Sequence, residues 1–205
     1  MTYILIAFTV IITITAFRRE EWFSRLQFNA YQVYHRKEIY RLLTHGFLHA
    51  SWMHLIVNMI VLFFFGPYVE EYLKQILPGN MPGLSRIVYF LFYFAAIIVS
   101  SLLSLYKQKD NAWYNAVGAS GAVSAVLFFF IFFRPWEMLY FYGIIPIPGI
   151  IMGVLYLIYS YYMSRRGIDN INHDAHFIGA VFGFIFPLFI DARLILYFLN
   201  QLKSI

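Results

Sequence analysis

The sequence predicts an all-α membrane protein built from six transmembrane helices. Of its 205 residues, 61% are hydrophobic and 12% are charged, which leaves too little polar surface to cover a soluble globule. The mean hydropathy of +0.68 favours the same class. Apolar segments also recur along the whole chain, separated by polar connections. The six predicted spans are Tyr3–Phe17, Phe47–Pro67, Ile87–Tyr106, Ala116–Phe133, Tyr142–Met163 and His173–Ile190.

The spans leave no room for a separate soluble domain, so we expect a single membrane domain over residues 1–205. The first span is short, about 22 Å at 1.5 Å per residue against a hydrocarbon core near 30 Å. We expect Trp22 and Phe23 to extend its apolar contact at the interface. No basic residues precede this segment, which favours a span over the alternative of a cleaved signal peptide.

The longest connection, residues 18–44, alternates basic and aromatic side chains. This mixture is typical of a segment at the level of the lipid headgroups, and the alternative is a solvated linker. The formal net charge of +5 is modest for the length of the chain. In so hydrophobic a chain, this charge indicates contact with anionic lipid headgroups and no nucleic-acid partner. The chain has no cysteine, which excludes disulfides and thiolate metal sites.

The fourth span opens with the small residues of 116–125, in which Ser120 lies between Gly118 and Gly121. A serine flanked by glycine at the mouth of an apolar helix has an accessible hydroxyl and accessible backbone N–H groups. The simpler alternative is a close-packing face, in which Gly121 and Ala125 form a small-xxx-small pair. Serine is a weak nucleophile until a neighbouring base accepts its proton, so the histidines of other spans become relevant.

The second span carries polar side chains in a segment that should be apolar. His54 and Asn58 are four residues apart and share one helical face, and the same spacing would place His45 and His49 on a second face. A His-x-x-x-His pair is compatible with a metal site, but acidic ligands are scarce within the spans, so we expect no metal. Two donors that point one way are what an oxyanion hole requires, which makes His54 and Asn58 its candidates.

The sixth span begins with His176 above a stripe of small residues, Gly179 and Gly183 among them. The small residues near Ser120 form a matching face, so packing the two faces together would bring His176 beside Ser120. Asp174 lies about 200° around the helix from His176. The sequence therefore predicts a Ser-His dyad without a third acidic member.

Water must also reach a hydrolytic serine. His45, Ser100 and Gln108 are candidates to line a hydrated cavity, and the alternative is that each makes a separate structural hydrogen bond. The fifth span, although rich in tyrosine, shows no pattern that indicates chemistry.

Three signatures occur in an order that resembles the rhomboid intramembrane serine proteases. They are His49 through His54 to Asn58, then Gly118-Ala119-Ser120-Gly121, then Ala175-His176 with Gly179 and Gly183. The resemblance implies a six-transmembrane-helix bundle of rhomboid type. It also implies that Ser120 is the nucleophile, that His176 is the base, and that His54, Asn58 and the Ser120 N–H form the oxyanion hole.

The same resemblance assigns His49 a structural role and Glu70 the anchoring of a loop. The chain departs from the family pattern at Tyr40-Arg41, where a Trp-Arg pair is usual, and at Lys74, where a glycine is usual. It departs again at Ser124, where an aromatic residue often stacks on the histidine.

The function expected from these observations is intramembrane serine endopeptidase activity on transmembrane segments of other membrane proteins. Substrates should carry small or helix-breaking residues, and no cofactor is expected. The resemblance implies a minimal prokaryotic member, a multi-pass protein of a bacterial cytoplasmic membrane. One alternative is a non-catalytic rhomboid-like chaperone that binds client helices. A small transporter is the other, and the confinement of charged residues to loops argues against it.

Overall fold

The computed structural model describes residues 1–141, 143–167, 169 and 171–203. Within these residues the chain forms ten α-helices and four short strands. The helices are α1 Thr2–Phe17, α2 Glu20–Leu26, α3 Ala30–Arg36, α4 Arg41–Thr44, α5 Trp52–Ile76, α6 Pro82–Gln108, α7 Ser120–Phe133, α8 Gly149–Arg166, α9 His173–Ile190 and α10 Leu194–Lys203. The strands are β1 Phe28–Asn29, β2 Asn115–Ala116, β3 Met138–Phe141 and β4 Ile145–Pro148.

Three of these helices, α5, α6 and α9, are long and apolar enough to cross a bilayer. Two shorter apolar helices, α1 and α7, accompany them. The predicted fifth span overlaps α8, so each of the six predicted spans overlaps one of these helices, and three of the described helices reach the length and hydropathy that a span requires. The chain is therefore an integral membrane protein with a mostly helical fold.

Several predicted boundaries are wrong, because local capping sets the helix starts. The Ser51 hydroxyl accepts a hydrogen bond from the His54 N–H at 3.2 Å and caps α5, which begins at Trp52 and not at Phe47. His45 lies in a 3₁₀ turn and His49 in the extended segment before α5, so they share no helical face.

The predicted fourth and fifth spans also begin later than expected. Ala116 lies in strand β2, and α7 starts at Ser120. The fifth helix begins at Gly149, after the antiparallel hairpin of β3 and β4. Tyr142, the predicted first residue of that span, lies outside the described residues.

The connection 18–44 folds into α2, β1, α3 and α4. Strand β1 pairs antiparallel with β2, in a register that places Phe28 opposite Ala116 and Asn29 opposite Asn115. The Asn29 amide donates to the Ala112 carbonyl at 2.9 Å and to Asn115 Oδ1 at 3.0 Å. This small sheet ties the connection to the chain just before Ser120.

Helix α7 is the centre of the molecule. Twelve of its fourteen residues are buried, including the run Phe128–Phe133. It packs against α5, α6 and α9, and Phe132 stacks on Phe198 of α10 with ring centroids 5.2 Å apart. Helix α10 was not predicted from the sequence. An apolar helix of 14 residues is about 21 Å long, shorter than a hydrocarbon core of about 30 Å. Neighbouring helices, and not lipid, bury the side chains of α7.

Helices α7 and α9 approach each other until their backbones touch. A Cβ atom added to Gly179 would collide with the carbonyl group of Gly121, and one added to Gly183 would collide with the backbone of Ala125. The small-residue faces predicted for these two helices therefore meet. Side chains cannot separate the helices at these two positions, so their relative height is set by main-chain contact.

Replacing Gly179 with Ala tests this contact. The added methyl group has no room, so we expect the variant to lose about 1–3 kcal/mol of stability, the range for overpacking a core. Thermal unfolding in detergent measures the effect as a lower Tm. Gly153→Ala on α8 is the matched control, because its added Cβ meets neighbours at 3.4 Å, ordinary van der Waals distance, and alanine favours the helix. Equal Tm values for the two variants would contradict backbone contact at Gly179.

Candidate active site

A cavity of about 670 Å³ lies at one end of the helix bundle. Ser120 of α7, His176 of α9, and His54 and Asn58 of α5 all line it. The structure thus brings the four residues selected from the sequence to one cavity, from three different helices. The other residues that line it are Phe23, Gln27, Ala50, Ser51, Met53, Val57, Asn115, Ala116, Val117, Ile171 and Asn172.

Ser120 is the first residue of α7, after a turn that only glycine fits well. Gly118 has φ +130°, and a Cβ atom there would lie 2.6 Å from Cε1 of the His54 ring. The Gly118 N–H donates to the His45 carbonyl at 3.0 Å, which fixes the turn. The first intrahelical bond runs from the Val123 N–H to the Ala119 carbonyl at 2.9 Å. The N–H groups from Ser120 onward therefore stand at the positive end of the helix dipole.

Ser120 and His176 share the cavity without touching through a hydrogen bond. Among the described residues, the Ser120 hydroxyl has no hydrogen-bond partner, and neither ring nitrogen of His176 has one. Both side chains are half-buried. In ligand-free enzymes such hydrogen bonds are often long and tighten only when substrate is bound. Gly121 follows Ser120 directly and Gly179 lies three residues after His176, so the backbone contact between the two glycines is close in sequence to both side chains.

The His54 ring packs over Gly118, and Asn58 lies one turn further along α5. The Asn58 amide donates one hydrogen to the His54 carbonyl at 3.0 Å, and its second amide hydrogen remains for another acceptor. The two side chains and the α7 N–H groups therefore supply hydrogen-bond donors around the Ser120 end of the cavity.

The sequence matches the family model of the Rhomboid domain over residues 36–193. This match includes all four residues above and most of the chain. The chain belongs to the rhomboid family.

A curated relative shares the family name. It is the RHOMBOID-like protein 12, mitochondrial, of Arabidopsis thaliana, which is 30% identical over 149 residues. The aligned region is 69% of this chain and 44% of the relative, so the chain spans less than half the length of that protein.

In this rhomboid, His49 is fully buried and bound to α1. The Thr13 hydroxyl donates its one hydrogen to the Phe47 carbonyl at 2.9 Å, so it accepts from His49 Nδ1 at 3.1 Å. The His49 ring meets the His54 ring edge-on, with centroids 5.0 Å apart. His49 does not line the cavity, which agrees with a structural role behind His54.

The start of α9 is held by polar contacts that leave His176 without an acidic partner. Asn172 caps the helix by accepting from the Ala175 N–H at 3.1 Å, and it also accepts from the Ser104 hydroxyl at 2.9 Å. The Asp174 carboxylate binds Ser164 and Lys107, and Asp169 binds His173 at 3.1 Å. That hydrogen bond from His173 lowers the pKa of Asp169 below its ordinary value. These described carboxylates are therefore engaged elsewhere, and neither of them pairs with His176.

The connection 18–44 forms part of the cavity wall. Phe23 and Gln27 line the cavity from the end of α2, and Arg41 holds that end in place. The buried Arg41 guanidinium donates to the carbonyls of Ser24 and Gln27 at 2.9 and 2.8 Å and to Glu38 at 2.6 Å. This hydrogen bond from Arg41 lowers the pKa of Glu38. Arg41 thus connects the chain before α5 to the wall of the cavity.

Several expectations about supporting residues are corrected. His45, Ser100 and Gln108 do not line this cavity. Each makes a separate structural hydrogen bond, as the alternative interpretation expected: His45 Nδ1 with the Arg41 carbonyl, Ser100 with the Ile97 carbonyl and Gln108 with Asn111. Glu70 anchors no loop of residues 18–44. Its carboxylate instead accepts from the Thr2 N–H at 2.6 Å and from the Met1 amino group at 2.8 Å, which fixes the start of α1.

Sequence reasoning missed residues that long-range packing brings to the site. Asn172 carried a usable signal, since an Asn before an apolar helical run is a typical N-cap. Phe23 and Gln27 carried none. Tyr156 of α8, in a span that showed no sign of chemistry, stacks on His176 with ring centroids 6.1 Å apart.

Thr13→Val tests the support of His49. Removing the hydroxyl leaves His49 Nδ1 buried without its partner, which costs about 1–3 kcal/mol of folding free energy. We expect a lower Tm in detergent. Thr15→Val on the same helix is the control, because Thr15 is partly exposed and its hydroxyl bonds only the Ile11 carbonyl within α1. A Tm of Thr13→Val no lower than that of Thr15→Val would refute a stabilising role for this contact.

Proposed function

We propose that this chain is an intramembrane serine endopeptidase that cleaves transmembrane segments of other membrane proteins through a Ser120-His176 dyad. The observation that carries the proposal is the meeting of Ser120, His176, His54 and Asn58, from three helices, at one cavity. The chemistry needs a nucleophile, a base and oxyanion donors within reach of one reacting carbonyl. Membership of the rhomboid family supports it.

The proposal includes six membrane spans. Helices α1, α7 and α8 complete the set begun by α5, α6 and α9, with the mostly buried α7 in the middle. The aromatic and basic connection 18–44 lies at the lipid headgroups, which makes membrane lipids a partner of this segment. We place the bundle in a bacterial cytoplasmic membrane, the location that the sequence resemblance implies. The single domain of the proposal covers residues 1–205.

In the reaction, His176 accepts the Ser120 proton while the serine oxygen attacks the carbonyl carbon of the substrate peptide bond. The protonated His176 then gives that proton to the leaving amine, and the peptide bond breaks. This leaves an acyl-enzyme on Ser120. A water molecule, deprotonated by His176, attacks the ester and releases the second product with the serine restored.

The oxyanion of the tetrahedral intermediate lies near the N-terminus of α7. The Ser120 N–H, the His54 ring and the free amide hydrogen of Asn58 stabilise the negative charge there, with the helix dipole adding to them. His54 donates from a ring held against Gly118, and Asn58 from a side chain already fixed by the His54 carbonyl. Donors fixed before the reaction need little reorganisation during it.

The proposed substrates are transmembrane segments with small or helix-breaking residues. A helical substrate hides its carbonyls in hydrogen bonds from residue i to residue i+4, so it must unwind before Ser120 attacks. The cavity wall is largely apolar, with Met53, Val57 and Ile171 among its residues, and it accepts an extended apolar strand. The substrate enters sideways past α8.

Ser120→Ala should abolish both cleavage of a transmembrane substrate and labelling by a fluorophosphonate probe. The reason is that alanine removes the attacking oxygen without changing the packing of α7. The free energy of unfolding should therefore stay within about 0.5 kcal/mol of the wild-type value. Mass spectrometry of the labelled wild-type protein locates the modified residue. Ser101→Ala is the control, because Ser101 is buried in α6 and bonds only the Ile98 carbonyl.

The result also separates the enzyme from a client-binding chaperone. If the folded wild-type protein takes up no probe at Ser120 and cuts no transmembrane peptide, the protease proposal is refuted and client binding becomes the better description.

His54 and His49 should differ in what they support. His54→Ala removes one oxyanion donor, so we expect the rate to fall by roughly 10- to 1000-fold at little change in Tm. His49→Ala removes a buried contact with α1, so it should chiefly lower the Tm. Cleavage rates and melting curves of the two variants are measured side by side. Equal losses of rate at unchanged stability would contradict the assigned roles.

A further inference from the structure

His176 stacks against an aromatic ring that belongs to another helix. Tyr156 of α8 lies with its ring centroid 6.1 Å from that of His176 and with the two planes inclined by 20°. This is the offset, nearly parallel arrangement that aromatic rings favour. The Tyr156 hydroxyl also makes a 2.6 Å hydrogen bond with the Ser124 hydroxyl of α7.

We propose that Tyr156 is the residue that positions His176 for reaction with Ser120. The inference rests on the proposed function, because it concerns the base of that reaction. Tyr156 contacts the base and not the substrate bond, so it is a positioning residue.

Contacts with other aromatic rings determine the orientation of the His176 imidazole. Among the described residues no group forms a hydrogen bond with His176, so ring contacts hold its plane. One contact is the edge of His173, with centroids 5.7 Å apart, and the other is the stacked ring of Tyr156. The His173 contact comes from the same helix and moves with it. Of these two ring contacts among the described residues, the one with Tyr156 relates the His176 ring to a different helix.

A hydrogen bond with Ser124 connects Tyr156 to helix α7. It is buried and lies four residues after Ser120, one turn along the same helix. The hydrogen bond between Ser124 and Tyr156 therefore fixes the Tyr156 ring relative to the helix that carries Ser120. The ring of Phe128, a further turn along α7, packs against Tyr156 in a tilted arrangement with centroids 5.7 Å apart. Helix α7 thus holds Tyr156, and Tyr156 holds the plane of His176.

The small side chain at position 124 makes this arrangement possible. A serine there fills little space and leaves a hydroxyl at the distance that the tyrosine needs. The two residues act as a pair, because Ser124 gives both the room and the polar partner for the tyrosine head.

The test uses the rate of fluorophosphonate labelling at Ser120 at increasing probe concentration, which separates the limiting rate constant from the half-saturating concentration. Tyr156→Leu should lower the limiting rate by about 10- to 100-fold, the loss expected for a misplacement of up to about 1 Å, with the half-saturating concentration unchanged. Tyr156→Phe keeps the stacking ring but loses the hydrogen bond with Ser124, so its rate should lie between those of wild type and Tyr156→Leu. Tyr162→Leu, an exposed tyrosine on the same helix, is the matched control and should match wild type.

The hydrogen bond is tested separately by Ser124→Ala, Tyr156→Phe and the double variant. If the bond positions the ring, the two single changes lower the rate by similar factors and the double variant is no slower than either. This cycle keeps the ring in place, so it decides the question even if Tyr156→Leu does not fold.

Failure of this inference is distinguishable from failure of the proposed function. Wild-type protein that is not labelled at Ser120 overturns both. Labelled wild-type protein, together with a folded Tyr156→Leu variant labelled at the wild-type rate, or a cycle whose factors multiply, overturns the positioning role alone.

Discussion

The contact between the backbones of α7 and α9 is the constraint on which the site depends. Helices in a bilayer gain little from burying apolar surface against each other, because lipid is as apolar as their side chains. Close approach of the main chains is what makes such a pair stable. Gly179 and Gly183 provide that approach one turn apart, against Gly121 and Ala125. The contact fixes the height of α9 against α7, so Ser120 at the start of α7 and His176 in the first turn of α9 lie at the same end of the molecule.

Polar contacts fix the elements around this pair, and each is costly to lose. A buried polar group without a partner is expensive in an apolar environment, so a chain with few polar side chains places them where they hold elements together. Arg41 binds the end of α2, and the Ser104 hydroxyl binds Asn172 at the start of α9. Thr13 binds His49, whose ring packs against that of His54. The mouth of the cavity is therefore built by a few specific hydrogen bonds around a core of packed rings.

Features with a helical period could be predicted from the sequence. The pair His54 and Asn58, and the stripe from His176 to Gly183, follow from the geometry of one helix, and both lie where the spacing indicates. Helix starts were predicted less well. Ser51 is a typical N-cap and marks the start of α5, whereas the turn at Gly118 before α7 depends on its contact with His54 of another helix.

Contacts between distant elements were beyond any local pattern. The bond of Glu70 to Thr2 joins residues 68 positions apart, and the stack of Tyr156 on His176 depends on how α8 lies against α9. Helix α10 was not predicted, because its burial depends on contacts of Phe198 with Phe132 of α7 and Phe184 of α9.

Helix α8 is held differently from the pair α7 and α9. A Cβ atom added to Gly149 or Gly153 would meet side chains of α7 at 3.4 Å, an ordinary van der Waals distance, whereas one added to Gly179 or Gly183 would collide with the α7 backbone. In α8 the buried residues are those two glycines and Ser160, and most of its side chains are exposed. In the proposed reaction, a substrate that enters from the lipid would displace α8 at lower cost than it would separate α7 from α9. Because Tyr156 belongs to α8, such a displacement would act on the plane of His176 without separating the two helices that carry Ser120 and His176.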